Sequence, residues 1–206
     1  MKAMNWAAIG TLFAALAFAA PAEAGPATEQ LQTQIDGVFK ALADPDLKGP
    51  EKAERRRAMI LEAAENVFDF GTTAKLTLGT HWDTLSQPQR DEFVNLFRGF
   101  IGKSYVSTLD LGEGGHSLAY LDEAVDGDRA TVKSRVTTSG GSVVPIEFRM
   151  IRGEAGRWRL YDVQWEGMSL VSNYRQQFIR IIRAGSYEEL VGKLRSKQSA
   201  PAASGQ

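Results

Sequence analysis

Residues 130–150 read ATVKSRVTTSGGSVVPIEFRM, with apolar and polar side chains alternating on both sides of a glycine-rich break. Before the break Ala130, Val132 and Val136 share one face, and Ile146 and Phe148 do so after it. Alternation with a period of two is typical of half-buried strands, and the glycines suit a hairpin turn. The segment therefore predicts two antiparallel strands joined by a tight turn.

A strand is predicted on either side of this hairpin. We expect four antiparallel strands connected as a meander, over residues 116–124, 128–138, 143–152 and 157–165. A turn at Asp126-Gly127 joins the first two. The last strand is apolar on both faces, with Trp158 and Leu160 on one and Tyr161, Val163 and Trp165 on the other. Its period alone does not identify the inner face.

Helices are predicted before and after the strands. Apolar side chains recur with the helical period over residues 28–43, over a segment that opens at Pro50, over 70–78 up to Gly79, and in two segments after Val171 that are separated at Gly185. Residues 86–89, Ser-Gln-Pro-Gln, form a capping box that starts a long helix. Helices, then strands, then helices indicate an α+β fold in which helices cover one face of the sheet.

The N-terminus has the features of an export signal. Lys2 precedes an apolar run from Trp6 to Ala20, and Ala22 and Ala24 have the A-x-A spacing of a cleavage site. We predict a signal peptide over residues 1–24, one α+β domain over 25–198 and a disordered tail over 199–206. Export with cleavage places the protein in a bacterial periplasm.

Composition excludes several classes of function. The 206 residues include 24 Lys plus Arg, 25 Asp plus Glu, two His and no Cys, with a net charge of -1. This balance gives no basic field to attract nucleic acid. Without cysteine there are no disulfides, thiolate metal sites or cysteine nucleophiles. We therefore predict no nucleic-acid partner, no metal site and no cofactor.

Apolar and aromatic side chains are abundant on the predicted inner faces of the sheet and helices, which favours binding over catalysis. A cavity lined by them would take up an acyl chain with a gain of about 0.8 kcal/mol per buried methylene. The predicted wall of this cavity consists of Phe97, Ile101, Tyr105, Val132, Val136, Val144, Ile146, Phe148, Tyr174 and Phe178.

Asp162 and Arg175 are predicted to form a structural ion pair at the corner between the last strand and the following helix. Two other hypotheses stay open. One is a small periplasmic isomerase or hydratase that uses Asp162 in the same pocket. The other is an interaction module with a filled core and no cavity.

Several strings, taken together, resemble one family. They are Phe68-Asp69-Phe70, Leu78-Gly79 with Trp82, Gln87 to Phe93 running on to Phe97 and Ser104-Tyr105, Trp158 to Val163, Glu166 to Leu170, Asn173 to Phe178 and Leu190 to Lys197. This order is similar to that of the MlaC or toluene-tolerance family of periplasmic lipid-shuttle proteins. The stretch from Asp162 to Phe178 is its most specific part.

The resemblance implies a curved four-stranded antiparallel sheet of the NTF2-like kind, packed with several helices around an apolar lipid cavity. It implies a soluble carrier that moves phospholipid between an outer-membrane lipoprotein complex and an inner-membrane MCE-domain ABC transporter complex, with only transient membrane proximity. It implies no catalysis. A related branch of the family is associated with hopanoids, so the lipid is either a phospholipid or a hopanoid.

Overall fold

The computed structural model describes residues 24–42, 52–106, 117–138 and 140–199. Within these ranges the helices are α1 (Pro26–Leu42), α2 (Ala53–Val67), α3 (Phe70–Leu78), α4 (Gln87–Val106), α5 (Leu170–Ala184) and α6 (Tyr187–Ser199). The strands are β1 (Ser117–Asp126), β2 (Arg129–Thr137), β3 (Val143–Arg152), β4 (Trp158–Trp165) and β5 (Met168–Ser169). A short 3₁₀ helix, Gly79–Thr84, connects α3 to α4. The predicted α+β layout is confirmed.

The strands form one antiparallel sheet in the order β1-β2-β3-β4-β5. The meander over the first four is as predicted, with turns at Gly127, where φ is 59°, and at Gly141, where φ is 80°. The count of four strands is wrong by one. Glu166 and Gly167 both adopt positive φ, as a two-residue hairpin turn of type I′ requires, and they fold the chain back so that Met168 pairs with Trp165.

A β-bulge in β4 explains why both of its faces are apolar. Arg149 pairs with Asp162 and Met150 pairs with Leu160, so Tyr161 is an extra residue without a direct partner on β3. Such a residue reverses the alternation of the strand. Before Tyr161 the inward residues are even-numbered, such as Leu160, and after it they are odd-numbered, such as Val163.

Residues close to the helix ends determine where the helices begin and end. α3 covers the predicted residues 70–78 and ends at Gly79, which has a φ of 57°. At the start of α4 the Oε1 of Gln89 accepts a hydrogen bond from the backbone N–H of Ser86 at 2.9 Å, as the capping box predicts. The predicted start of the second helix at Pro50 lies outside the described residues, and α2 is described from Ala53.

The buried apolar side chains form two clusters. A sheet cluster joins the N-terminal half of α1 and Val67 to the inner face of the sheet, and includes Leu31, Val132, Phe148 and Leu160. A helical cluster joins α3, α4, α5 and α6. Phe68 packs against both clusters. It also forms a parallel bridge to Leu160 on the edge of β4, which connects the helices to the sheet.

The two termini fall largely outside the structure. Residues 1–23 of the predicted signal peptide and residues 200–206 of the predicted tail lie outside the described ranges, and Ser199 is the last residue of α6. None of the described helices combines the length and the apolar character needed to cross a bilayer.

Candidate functional site

Next to the row Val125–Ala130–Met150–Leu160, the inner face of the sheet carries three further rows of side chains that run across the strands. Directly opposite residues of antiparallel strands project from the same face, so the pairing register defines each row. The rows are Glu123–Val132–Phe148–Val163, then Tyr120–Ser134–Ile146–Trp165, then Leu118–Val136–Val144. Eight of these eleven side chains are aliphatic or aromatic without a hydroxyl, which makes this face the main apolar surface of the sheet.

Helix α1 is fixed to one end of this face by polar contacts. Glu123 accepts hydrogen bonds from the backbone N–H of Thr28 at 2.7 Å and from its hydroxyl at 2.6 Å, which satisfies a free donor of the first helical turn. Gln30 bonds both backbone groups of Trp158, donating to its carbonyl at 2.7 Å and accepting from its N–H at 3.0 Å. A Cβ at Gly25 would overlap the Glu123 carboxylate, so the chain approaches the sheet closely here.

The predicted wall residues of the sheet lie together on the inner face. Val132, Ile146 and Phe148 belong to the sheet cluster, and the half-buried Val136 packs against it. Val144 is buried and pairs with Val136. The alternation in the sequence therefore predicted their common face.

The predicted wall residues of the helices lie in the other cluster. Phe97, Ile101, Tyr174 and Phe178 are buried in the helical cluster. The ring of Phe97 contacts that of Phe178 edge-on at a centroid distance of 5.7 Å and that of Tyr174 at 5.8 Å. The side chain of Tyr105 is outside the described part of the structure. Helical periodicity identifies the buried face of a helix but not its partner, so whether both sets line one cavity stays a prediction.

The predicted pairing of Asp162 with Arg175 is wrong. Asp162 lies on the outer face of β4, and its Oδ2 accepts from Ser169 Oγ at 2.6 Å and faces Arg149 Nη1 at 3.4 Å. Its Oδ1 accepts from the backbone N–H of Val171 at 3.0 Å. The bulge at Tyr161 places Arg149 opposite Asp162. The exposed Arg175 instead extends towards Gly79.

Two tyrosines titrate far above their ordinary range. Burial raises the pKa of Tyr120 to about 12, with a further contribution from the negative charge of Asp36. Burial also raises the pKa of Tyr187 to about 12, helped by Glu92 and Glu188. Both hydroxyls keep their protons at neutral pH, and that of Tyr187 donates to the carbonyl of Gln89 at 3.0 Å. Among the residues that the structure describes, no cluster of His, Asp and Glu side chains could hold a metal ion.

These features define an α+β protein whose apolar surface lies on one face of an open antiparallel sheet, crossed at one end by a helix. The chain belongs to the MlaC family, because the family model described as MlaC protein matches residues 32–196. It is similar to the intermembrane phospholipid transport system binding protein MlaC of Haemophilus influenzae, with 23% identity over 175 residues that cover 83% of this chain and 81% of that protein.

A solved structure has the same fold. It is the phospholipid-binding protein from Ralstonia solanacearum in complex with a phospholipid, which matches with a TM-score of 0.72 over 85% of this chain and 98% of that chain. The sequence identity is 22%, so this likeness shows the fold. The fold class and the family predicted from the sequence are both confirmed.

Sequence reasoning missed three polar features of the site. Glu123 was not among the predicted site residues, and a bulge at Leu121 turns its carboxylate to the inner face. Arg149 was not recognised as the partner of Asp162, because the second bulge changes the register. Ser134 and Tyr120 sit opposite each other on the inner face, and the signal for Ser134 was its polar side chain at an inward position of β2.

Proposed function

We propose that this protein is a periplasmic carrier that holds the acyl chains of a phospholipid against the inner face of the sheet and moves the lipid between membranes. The observation that carries this proposal is the mostly apolar inner face, on which the three rows place eight aliphatic or aromatic side chains. Burying acyl chains there contributes about 0.8 kcal/mol per methylene, so affinity grows with chain length without any charged contact.

The relatives support a phospholipid as the ligand. The Haemophilus influenzae protein is named as the binding protein of an intermembrane phospholipid transport system, and the Ralstonia solanacearum structure contains a bound phospholipid. The shared fold gives this chain the same type of scaffold. A hopanoid is the second candidate, since a polycyclic lipid also requires an apolar surface.

The carrier role requires partners at both membranes. We infer that the protein exchanges lipid with an outer-membrane lipoprotein complex and with an inner-membrane MCE-domain ABC transporter complex, and approaches the membranes only transiently. Export after cleavage at Ala24 is part of this proposal, since the two complexes face the periplasm. Transfer of labelled phospholipid from the protein to vesicles that contain the inner-membrane complex tests the exchange step.

The isomerase hypothesis finds no support in the site. It requires Asp162 to face an apolar pocket, but Asp162 is 2% exposed on the outer face and accepts hydrogen bonds from Ser169 and Val171. A carboxylate whose oxygens are occupied by structural donors is poorly placed to abstract a proton from a substrate. We therefore propose a binding protein without catalytic residues.

Native mass spectrometry of the gently purified protein tests the carrier. We expect a bound lipid with two acyl chains, and we expect Val144→Trp to lower lipid occupancy while the fold is retained, because the indole would fill space that the chains use. An empty protein with no lipid uptake would instead support the interaction module.

The neighbouring residue provides a matched control for this substitution. Val143 precedes Val144 in β3 but projects from the opposite face and is 59% exposed. Val143→Trp adds the same side chain outside the proposed site, so lipid occupancy should equal that of the wild type. If Val144→Trp unfolds the protein and Val144→Ala leaves occupancy unchanged, the assignment of Val144 to the wall is wrong.

A further inference from the structure

Two hydroxyl groups on the inner face have no hydrogen-bond partner within the described part of the chain. They are the Oγ of Ser134 and the phenolic OH of Tyr120, and both atoms are buried. Ser134 as a whole is 2% exposed. Buried hydroxyls are normally satisfied, because an unpaired polar group away from water is costly. The pair therefore requires a partner that the described part of the chain does not supply.

The register places the two residues side by side. Tyr120 of β1 lies directly opposite Ser134 of β2, so both side chains project from the inner face at adjacent positions. On the other side Ser134 is opposite Ile146, and along β2 its same-face neighbours are Val132 and Val136. None of these three can accept or donate a hydrogen bond. The two residues are thus adjacent polar positions inside a mostly apolar face.

The protonation state of Tyr120 and the charge of Asp36 indicate which chemical group can bind to the two hydroxyls. Tyr120 keeps its proton at neutral pH, since burial and the nearby Asp36 raise its pKa to about 12. It therefore presents a donor, and the hydroxyl of Ser134 can present a second one. The negative charge of Asp36 disfavours an anion, such as a phosphate, at this position. A neutral oxygen acceptor fits both conditions.

In a diacyl lipid, the neutral acceptor directly attached to the acyl chain is the carbonyl oxygen of the ester. We propose that Tyr120 and Ser134 form a polar subsite that binds an ester carbonyl of the lipid and so fixes how far its chains extend along the inner face. This inference rests on the proposed carrier function and adds to it a preference for ester-linked chains over ether-linked ones.

Paired lipid probes test the subsite directly. The delipidated protein is titrated with a diacyl phosphatidylethanolamine and with the dialkyl ether analogue that has the same head group and chain lengths. We expect the wild type to bind the ester lipid roughly 3- to 10-fold more tightly, the factor that one or two net hydrogen bonds provide. Tyr120→Phe and Ser134→Ala should each reduce this preference, because each removes a hydrogen bond that only the ester lipid can accept.

Tyr161→Phe is the matched control. Its hydroxyl lies near Arg129 at the surface, so its removal should leave both affinities at the wild-type value. Thermal unfolding without lipid gives a second measurement. Because the two hydroxyls have no partner among the described residues, Tyr120→Phe and Ser134→Ala should unfold at or above the wild-type temperature. A clear decrease in both variants would assign the hydroxyls to the fold and overturn the subsite.

The remaining outcomes distinguish a failure of the subsite proposal from a failure of the carrier proposal. If the wild type binds ester and ether lipids equally well, or if both variants keep the full preference, the hydroxyls bind only water and the subsite is wrong while the carrier stands. If the wild type takes up neither lipid although it is folded, the carrier proposal fails and the subsite fails with it.

Discussion

Asp162 is a buried carboxylate that connects three parts of the structure. It accepts hydrogen bonds from Ser169, which caps α5, and from the backbone of Val171 in the first turn of that helix, and it faces Arg149 on β3. A carboxylate near the N-terminus of a helix also interacts favourably with the helix dipole. One side chain thereby fixes the direction in which α5 leaves the sheet.

We predict that Asp162→Asn lowers the free energy of unfolding by about 2–3 kcal/mol, because both carboxylate oxygens accept hydrogen bonds and an amide replaces one acceptor by a donor. Urea denaturation monitored by circular dichroism measures the loss. The control is Arg175→Gln, which should change stability by less than about 0.5 kcal/mol, since Arg175 is exposed and outside this network. Equal losses in both variants would contradict the prediction, since Arg175 would then contribute as much to stability as this network.

At the scale of elements, α1 depends on a carboxylate from a distant strand. Among the described contacts, no side chain of α1 itself accepts a hydrogen bond from the free N–H groups of its first turn. Glu123 of β1 does so instead, because its carboxylate accepts hydrogen bonds from Thr28. This cap places Ala27 and Leu31 on the sheet, where both are fully buried. The position of α1 over the inner face is therefore coupled to the bulge that turns Glu123 inward.

We predict that Glu123→Ala destabilises the protein by about 1–2 kcal/mol, the usual effect of removing an N-terminal cap with a charged acceptor. It should also increase proteolytic cleavage within α1, because the helix loses its attachment to β1. Asp122→Ala is the matched control. Asp122 forms only an exposed pair with Lys133 at 3.2 Å, so its loss should cost less than about 1 kcal/mol. Comparable effects of the two substitutions would show that Glu123 does not anchor α1.

The type and order of the elements could be predicted from the sequence because their signals are local. The capping box at Ser86 and the glycine at position 79 mark helix ends within a few residues. The fifth strand was missed because its turn uses Glu166 at a φ of 48°, a conformation for which glutamate gives no sequence signal.

The partners of side chains could not be predicted where the register changes. Without the bulge, the hairpin between β3 and β4 would place Tyr161 opposite Arg149, and one extra residue puts Asp162 there instead. The same effect turns Glu123 towards α1. A bulge shifts every later residue to the other face, and both strands carry apolar and polar residues on each face, so the alternation did not reveal it.

At the scale of the whole molecule, the sheet cluster and the helical cluster meet at the segment that joins α2 to α3. Asp69 donates its backbone N–H to the carbonyl of Leu160 at 2.7 Å, and the hydroxyl of Thr73 donates to the carbonyl of Tyr161 at 3.0 Å. Phe68 packs on both clusters between these contacts. We therefore expect both clusters to unfold in one cooperative transition.

Each cluster contains one tyrosine whose pKa is raised to about 12, Tyr120 against the sheet cluster and Tyr187 against the helical cluster. The ordinary pKa is about 10, so between pH 10 and 12 the unfolded chain loses these protons while the folded chain keeps them. The unfolded state then binds fewer protons, and the free energy of unfolding decreases as pH rises. The stabilisation is complete below pH 10 and is lost as pH passes 12.

We predict that urea denaturation at increasing pH shows a steep loss of wild-type stability above pH 10, with tyrosinate absorbance appearing together with unfolding. Tyr120→Phe and Tyr187→Phe should each make this loss less steep, because phenylalanine has no proton to release. At neutral pH they should differ. Tyr187→Phe loses a hydrogen bond to the carbonyl of Gln89 at 3.0 Å and is less stable, whereas Tyr120→Phe loses no partner within the described chain and is not. A variant that kept the wild-type pH dependence would contradict the raised pKa of the tyrosine that it removes.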